Sequence, residues 1–290
     1  MKALSIAEPF AGVLPSIPES DGKDLAEIAR RMRGAMITLS HEKRVPPLGS
    51  ELSCVDILAV LYWRILNVDP AQPDAPLRDR FILSKGHAAK ALYVALAYRG
   101  YFELSVLETF SDAGGQLPEH PGPKCISGVE FATGSLGHGL SVGIGLSYAA
   151  KLARRDNRIF ALLSDGECNE GSVWEAAMLA SAQKLDRLVA IIDYNKWQAT
   201  GRSQDVMALE PLAEKWRAFG WHTIEVDGHD YDQLSEALSG LPKTPEKPTA
   251  VIAHTVKGKG VSFMEDDNNW HYRIPTGNEV FSAFTELGLS

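Results

Sequence analysis

The sequence has few cysteines and no surplus of basic residues, and each shortage argues against a class of protein. Only three cysteines occur, Cys54, Cys125 and Cys168, and they form no C-x-x-C pair. A sparse, odd set of this kind favours a reducing compartment and argues against a zinc site. Acidic residues outnumber basic ones, 37 to 29, which gives a net charge of −8. Nucleic acid is therefore not an expected partner, because a phosphate backbone requires dense Lys and Arg.

Long apolar runs are also missing. The sequence contains no stretch of about 18 consecutive apolar residues, so it predicts neither a transmembrane helix nor a membrane partner. The apolar residues near the N-terminus are interrupted by Glu8, Pro9, Pro15 and Pro18, which is not typical of a signal peptide. We therefore expect a cytoplasmic protein. Its 290 residues, 45% of them hydrophobic, suffice for one large buried core or two small ones.

Short apolar segments alternate along the chain with segments of helical periodicity. This alternation is typical of an α/β fold in which helices flank a parallel β-sheet. Strands are predicted at 80–84, 159–163, 222–226 and 249–253, with a further one that begins at Leu188. Helices are predicted at 23–39, 56–66, 170–184, 209–219 and 230–240. The predicted organisation is a proline-punctuated tail (1–22), one domain (23–275) and a C-terminal helix (276–290).

Oxygen-bearing side chains follow two of the predicted strands. Asp165 comes just after strand 159–163, and Asn195 lies thirty positions later, beyond the next strand. This spacing is about the length of one βαβ unit, so both side chains are expected at the carboxyl edge of a parallel sheet, where ligands bind. Their oxygens suit Mg²⁺ (or Ca²⁺ or Mn²⁺) held against a phosphate or diphosphate. Gly166 and Gly171 would let the backbone donate N–H groups to that anion.

The same residues resemble the signature of thiamine diphosphate enzymes, and the flanking sequence resembles the transketolase family. The signature is Ser164-Asp165-Gly166 followed about thirty residues later by Asn195, with Ser164 in place of the usual glycine. Four further runs carry the resemblance: GSLGHGLSVGIGLSYAAK, EGSVWEAAMLASAQKLD, LEPLAEKWRAFGWHTIEVDGHD and VIAHTVKGKGVSFMEDD. It extends over roughly residues 24–275. It implies the thiamine diphosphate-binding version of the α/β fold, with thiamine diphosphate and Mg²⁺ as cofactors.

Carried over residue by residue, the resemblance implies three sets of site residues. The cofactor contacts are Ser135, Leu136, Gly137, Asp165, Gly166, Glu167, Asn195 and Lys257. The metal ligands are Asp165, Asn195 and Trp197. The catalytic residues are His87, His120 and His271, placed near the diphosphate or the substrate, and Glu170, placed where two active sites of an assembly face each other. Without the family, a lone histidine is more often a surface or cap residue, and a glutamate on a helix is more often solvated.

Two positions depart from the family. Before Leu52 the family has a histidine that faces the substrate carbonyl, and Pro47 occupies that position here. His41, six residues upstream, could replace it only if the loop folds back. Tyr272 stands where a glycine usually follows the last histidine. The departure at Pro47 favours a specialised ketol or acyl transferase over the ordinary sugar-phosphate reaction.

The resemblance covers the diphosphate-binding half of a transketolase, so the pyrimidine-binding half is expected on a second chain. We therefore expect the N-terminal subunit of a split transketolase, which transfers a two-carbon ketol unit from a ketose or ketose phosphate to an aldehyde. Its partner would be a C-terminal subunit, in an α₂β₂ assembly. The alternatives are a thiamine-dependent transferase of a specialised pathway, the E1 subunit of a 2-oxo acid dehydrogenase, a degenerate non-catalytic subunit, and a nucleotide-binding dehydrogenase. No predicted strand directly precedes the glycine-rich run 134–145, which disfavours the last.

Overall fold

The computed structural model of the chain describes residues 24–289 and contains a five-stranded parallel sheet. The strands are β1 (Arg80–Leu83), β2 (Ile159–Ser164), β3 (Leu188–Tyr194), β4 (His222–Asp227) and β5 (Thr249–His254). Their order in the sheet is β1-β2-β3-β5-β4, and every neighbouring pair is parallel. The prediction of an α/β fold with a parallel sheet is confirmed, and the five predicted strands are all present.

Helices cover both faces of this sheet. The α-helices are α1 (Leu25–Lys43), α2 (Gly49–Leu52), α3 (Val55–Val60), α4 (Ala89–Tyr98), α5 (Gly139–Leu152), α6 (Gly171–Ala182), α7 (Ser203–Val206), α8 (Leu212–Ala218), α9 (Tyr231–Leu238) and α10 (Gly277–Glu286). One hydrophobic core lies between the sheet and α1, α3, α4, α9 and α10. A second core lies on the other face, against α5, α6 and α8.

The strands are apolar on both sides because both faces of the sheet are covered. Along β2, Phe160 and Leu162 enter the first core, whereas Ile159, Ala161 and Leu163 enter the second. This alternation is the two-residue period of a strand. It leaves the carboxyl ends of the strands as the place where polar side chains can collect.

Some element bounds differ from the prediction. The first helix extends beyond residue 39 to Lys43, where Arg44 takes a left-handed conformation (φ 58°) and ends it. The helix predicted at 56–66 is divided into α3 and a π-helical turn, Leu61–Ile65. A long amphipathic pattern does not reveal such a widened turn, because both forms keep one face buried.

The two ends of the predicted domain organisation have different outcomes. The tail predicted at 1–22 lies outside the described residues. The C-terminal helix is present as α10, and its Val280 and Phe284 pack into the same core as α1. Arg30 of α1 also donates to the backbone oxygens of Leu287 and Gly288, at 2.9 and 2.7 Å. The domain division at 22 and 275 stays a prediction.

Within residues 24–289, none of the helices combines the length and the apolar character needed to cross a membrane.

Candidate active site

The structure places Asp165 at the carboxyl edge of the sheet, one residue after β2. The side chain is fully buried. Its carboxylate accepts hydrogen bonds from the backbone N of Gly166 at 2.8 Å and from the hydroxyl of Ser203 at 2.7 Å, and both donors are neutral. Burial, with the charge of the nearby Asp193, raises the pKa of Asp165 to about 6. A bound cation would relieve this cost, so the site suits a metal ion.

Asn195 emerges at the same edge, from the neighbouring strand. In the register of the sheet, Ser164 at the end of β2 lies opposite Asp193 of β3, so the residues that follow meet. The amide Nδ2 of Asn195 donates to the hydroxyl of Ser53 at 3.3 Å, and Oδ1 accepts from the backbone N of Trp197 at 3.1 Å. The amide oxygen is thereby oriented and keeps a second lone pair for a cation.

Trp197 can contribute to a metal site only through its backbone. Its indole Nε1 donates to Asp266 at 2.8 Å, and the guanidinium of Arg202 stacks on the ring at 3.8 Å from the centroid. An indole has no acceptor for a cation, whereas a backbone carbonyl is an oxygen ligand that Mg²⁺ and Ca²⁺ accept.

The glycine-rich loop before α5 is fastened to the same edge. The backbone N of Gly137 donates to Glu167 Oε1 at 2.8 Å, and the backbone N of Ser164 donates to Oε2 at 3.2 Å. Gly137 has φ 84°, and a Cβ there would lie 2.4 Å from Ser172 Oγ, so only glycine fits. Glu167 is fully buried and burial raises its pKa. Glu167 thus braces the loop, and its predicted contact with the cofactor stays a prediction.

The remaining predicted cofactor contacts border this loop. Ser135 is exposed and Leu136 is half-buried, so both are accessible from the glycine-rich side. Gly166 follows Asp165 directly, and a Cβ at this position would lie 2.9 Å from the Gln198 side chain. Gly166 thus packs closely against Gln198, and its predicted contact with the diphosphate stays a prediction.

Lys257 brings a positive charge to the site from the loop after β5. The side chain is fully buried, and its Nζ donates to Asn268 Oδ1 at 2.7 Å and lies 3.3 Å from His271 Nδ1. Burial, together with the charge of Lys85, lowers the pKa of Lys257 to about 8. An anion such as a diphosphate would stabilise the charged form of this lysine.

The three predicted histidines converge. The ring centroids of His87 and His271 are 6.2 Å apart. His120 packs against Gly134, where an added Cβ would lie 3.3 Å from the imidazole Cδ2. The pKa of His87 is lowered well below its ordinary value, first by burial and then by the charges of Lys85, His271 and His120. The ring of His87 is therefore neutral at pH 7 and can both donate and accept hydrogen bonds.

His271 should remain neutral in mildly acidic solution. Burial and the charges of Lys257 and Lys85 lower its pKa to about 4, from 6.5. Between these values the unfolded chain binds a proton that the folded chain does not, so the free energy of unfolding falls as the pH is lowered. We expect the imidazole resonances of His271 to titrate below pH 5, and His271→Gln to make stability between pH 4 and 6.5 less dependent on pH. A midpoint near 6.5 would contradict this.

Glu170 lies apart from the histidines. It is exposed at the start of α6, beside Gly137, where an added Cβ would come within 2.7 Å of the Glu170 Cβ. The structure therefore brings Glu170 to the glycine-rich loop and to the solvent-facing start of a helix. Its predicted position between two active sites requires a second chain, so that role stays a prediction.

The loop at Pro47 carries no imidazole. His41 is still within α1, and its Nδ1 lies 2.7 Å from the backbone oxygen of Pro275. The loop that follows is bound by the buried Lys90, whose Nζ donates to the backbone oxygens of Val45 and Pro46 at 3.0 and 3.4 Å. His41 thus has a partner at the end of α1, and the loop does not fold back in the way that a replacement would require.

Sequence reasoning missed a buried ion pair beneath the site. Lys85 and Asp193 are both fully buried and contact each other. Asp193 also accepts from the hydroxyls of Ser53, at 2.6 Å, and Thr255. Lys85 donates in addition to the backbone oxygen of Ser50 at 2.7 Å. The sequence signal that could have revealed this pair was a charged residue at the buried end of an apolar strand, where an unpaired charge is costly.

Comparison with known proteins agrees with this geometry. A family model described as the thiamine diphosphate binding domain of transketolase matches residues 29–290. The chain is 40% identical to a subunit of the apulose-4-phosphate transketolase of Phocaeicola vulgatus, over 89% of this chain and 92% of that one. It is 44% identical to 6-deoxy-6-sulfo-D-fructose transketolase subunit SqwG of Clostridium sp. (strain MSTE9), over 91% of this chain and 96% of that one.

Solved structures show the same relationship. The transketolase from Leishmania mexicana superposes with a TM-score of 0.86 and 28% identity, over 91% of this chain and 41% of that one. The transketolase from Campylobacter jejuni superposes with a TM-score of 0.83 and 30% identity, over 94% of this chain and 44% of that one. The chain thus spans about two fifths of the length of these solved transketolases. The chain belongs to the transketolase family, as the thiamine diphosphate binding domain of that family.

Proposed function

We propose that this chain is the N-terminal subunit of a split transketolase, which transfers a two-carbon ketol unit from a ketose or ketose phosphate to an aldehyde. One observation carries the proposal: Asp165 and Asn195, Lys257 and three histidines collect at one edge of the parallel sheet. Bound thiamine diphosphate would supply the carbanion that cleavage of a C–C bond beside a ketose carbonyl requires. The chain itself would bind the diphosphate, orient the substrate and move protons.

The metal is proposed to be Mg²⁺, held by the side chains of Asp165 and Asn195 and the backbone oxygen of Trp197. Two or three protein oxygens leave places for diphosphate oxygens and water, which is how Mg²⁺ is usually bound. The raised pKa of Asp165, buried against neutral donors, supports a cation at this point. Lys257 would add a contact to the diphosphate.

The histidines are proposed to act on the substrate oxygens. His87 and His271 have lowered pKa values, so at pH 7 each can donate a proton in a hydrogen bond and accept another. His120, exposed beside Gly134, lies at the open side of the group. We propose that the three together guide proton transfer as the C–C bond of the donor is broken and the new one is formed.

The partner is proposed to be a C-terminal subunit with the pyrimidine-binding domain, in an α₂β₂ assembly. The relatives named as transketolase subunits support a second chain. An apolar face of this chain supports pairing of two copies: Tyr148 and Leu152 on α5 and Met178 and Leu179 on α6 are exposed, and these helices are neighbours. Exposed apolar patches of this kind usually mark interfaces. Glu170 lies at the N-terminal end of α6.

A second candidate is a transferase for a specialised sugar. Proline at position 47 leaves the loop without an imidazole, and His41 is bound elsewhere. The two named relatives are named for apulose 4-phosphate and 6-deoxy-6-sulfo-D-fructose. A cytoplasmic location is proposed as well, since Cys54, Cys125 and Cys168 are all free thiols.

Turnover measured with and without the partner tests the proposal. We expect the assembly purified from its own cells, with Mg²⁺ and thiamine diphosphate, to transfer ketol units to an aldehyde, and this chain alone to be inactive. Activity of the chain alone would contradict the split enzyme. An assembly that binds the cofactor and acts on no ketose would instead support the degenerate subunit.

A further inference from the structure

A buried polar cluster centred on Asp56 connects four segments of the chain. Asp56 lies on α3 and is 3% exposed. Its Oδ2 accepts from Arg33 Nη2 at 2.6 Å and contacts His229 Nδ1 at 2.7 Å. Its Oδ1 accepts from the Tyr231 hydroxyl at 2.8 Å. Burial alone would raise the pKa of Asp56, but the charge of Arg33 and the hydrogen bonds from His229 and Arg33 together outweigh it and hold that pKa well below its usual range. The carboxyl group of Asp56 is thus ionised and accepts hydrogen bonds.

The hydrogen bonds of His229 define the position of its proton. The backbone N of Val256 donates to Nε2 at 2.8 Å, so that nitrogen carries a lone pair. The other nitrogen, Nδ1, must then carry the proton and donate it to Asp56. The ring is therefore fixed at both nitrogens, between the carboxylate on one side and the loop after β5 on the other.

Arg33 holds the other end of that loop. Its Nε donates to the backbone oxygen of Lys259 at 2.9 Å. Gly260, with φ 98°, lies against the arginine, and a Cβ there would come within 2.6 Å of Arg33 Cδ. The loop is also fastened in the middle, where the backbone N of Gly258 donates to the backbone oxygen of Gly49 at 2.9 Å. Lys257 lies between these anchors, with its side chain in the candidate active site.

We propose that His229 is a positioning residue, which, with Asp56 and Arg33, sets the loop Val256–Lys259 so that the ammonium of Lys257 meets the diphosphate of the cofactor. This rests on the proposed function. His229 does not itself face the site: both of its ring nitrogens are used by Asp56 and Val256. Substituting residues that orient ligand-binding groups from behind in this way typically costs about 10- to 100-fold in affinity.

Three substitutions at one position separate the parts of this role. His229→Leu loses both hydrogen bonds. His229→Asn can still donate to Asp56 but is too short to reach Val256. His229→Gln carries a donor and an acceptor on one amide and can restore both. We expect the first two to weaken binding of thiamine diphosphate in excess Mg²⁺ by roughly 10- to 100-fold, and His229→Gln to remain within about 3-fold of the unmodified protein.

Thiamine diphosphate is titrated into the full chain, in the assembly in which it purifies, and binding is measured by calorimetry. The control is His254→Leu, at the end of β5, where the imidazole lies 3.2 Å from the exposed Glu225 carboxylate and packs against the Tyr194 ring. Affinity lost in His229→Asn and kept in His229→Gln and His254→Leu supports the role. Unchanged affinity in His229→Asn overturns it, as does equal loss in all variants. If the unmodified assembly does not bind the cofactor, the proposed function itself fails.

Discussion

Asp165→Asn should abolish Mg²⁺-dependent binding of thiamine diphosphate while leaving the fold intact. The asparagine has the same shape, and its Oδ1 can accept from the backbone N of Gly166 while its Nδ2 donates to the Ser203 hydroxyl oxygen, but it has no charge for a cation. Loss of a residue behind a metal ligand costs roughly 10- to 100-fold in affinity, so loss of the ligand itself should cost more. The raised pKa of Asp165, about 6, means that its charge is disfavoured in the folded chain at pH 7. Removing that charge should therefore not reduce stability.

Lost cofactor affinity without a loss of stability distinguishes a binding role of Asp165 from a structural one. Calorimetry with thiamine diphosphate and Mg²⁺ measures the affinity, and urea denaturation of the apo protein measures the free energy of unfolding. Asp205→Asn is the matched control, because Asp205 is an exposed carboxylate on the short helix α7 that also carries Ser203. Retention of affinity within about 3-fold in Asp165→Asn would show that the metal is bound elsewhere.

Lys85→Met should destabilise the chain by about 3–5 kcal/mol, because it leaves the buried carboxylate of Asp193 without its counter-ion. Both side chains are fully buried. Burial would lower the pKa of Lys85 and raise that of Asp193, but their mutual attraction reverses both shifts, so both are charged. The double variant Lys85→Met, Asp193→Asn removes both charges and should recover part of the loss. Urea denaturation at pH 7 measures each free energy of unfolding.

An exposed ion pair provides the comparison. Lys184 and Glu246 lie 2.9 Å apart with side chains 57% and 68% exposed. Lys184→Met should cost about 0–1 kcal/mol, since water compensates an exposed partner. If Lys85→Met costs no more than this control, Asp193 is not a buried charge in the folded protein.

The sheet and the positions of Asp165 and Asn195 at its edge were predictable because they depend on local pattern. Strands buried on both faces give continuous apolar runs, and a polar residue at the end of such a run must face the carboxyl edge of a parallel sheet. Asp165 and Asn195 satisfy both conditions, and the structure places them at the same edge, after neighbouring strands. The resemblance to transketolases added the histidines, which no local pattern would have brought together.

The residues that were missed depend on contacts distant in sequence. His229 reaches Asp56 across 173 positions, and Lys85 reaches Asp193 across 108. The sequence around His229, Asp227-Gly228-His229-Asp230, is typical of a turn, and His229 does lie in one. Its side chain is nevertheless only 12% exposed, and its ring contacts Asp56. For Trp197 the position was predicted, whereas only the structure shows that its indole is engaged, so that any metal contact would have to come from its backbone oxygen.

Native mass spectrometry of the assembly, isolated from its own cells in Mg²⁺ and thiamine diphosphate, tests the central claim most directly. It reports the composition of the complex and the bound cofactor together. We predict two copies of this 31.6 kDa chain with two copies of a second chain, and added mass for thiamine diphosphate and Mg²⁺ at each site. A complex of this chain alone, without cofactor mass, would contradict both the split enzyme and the site at Asp165 and Asn195.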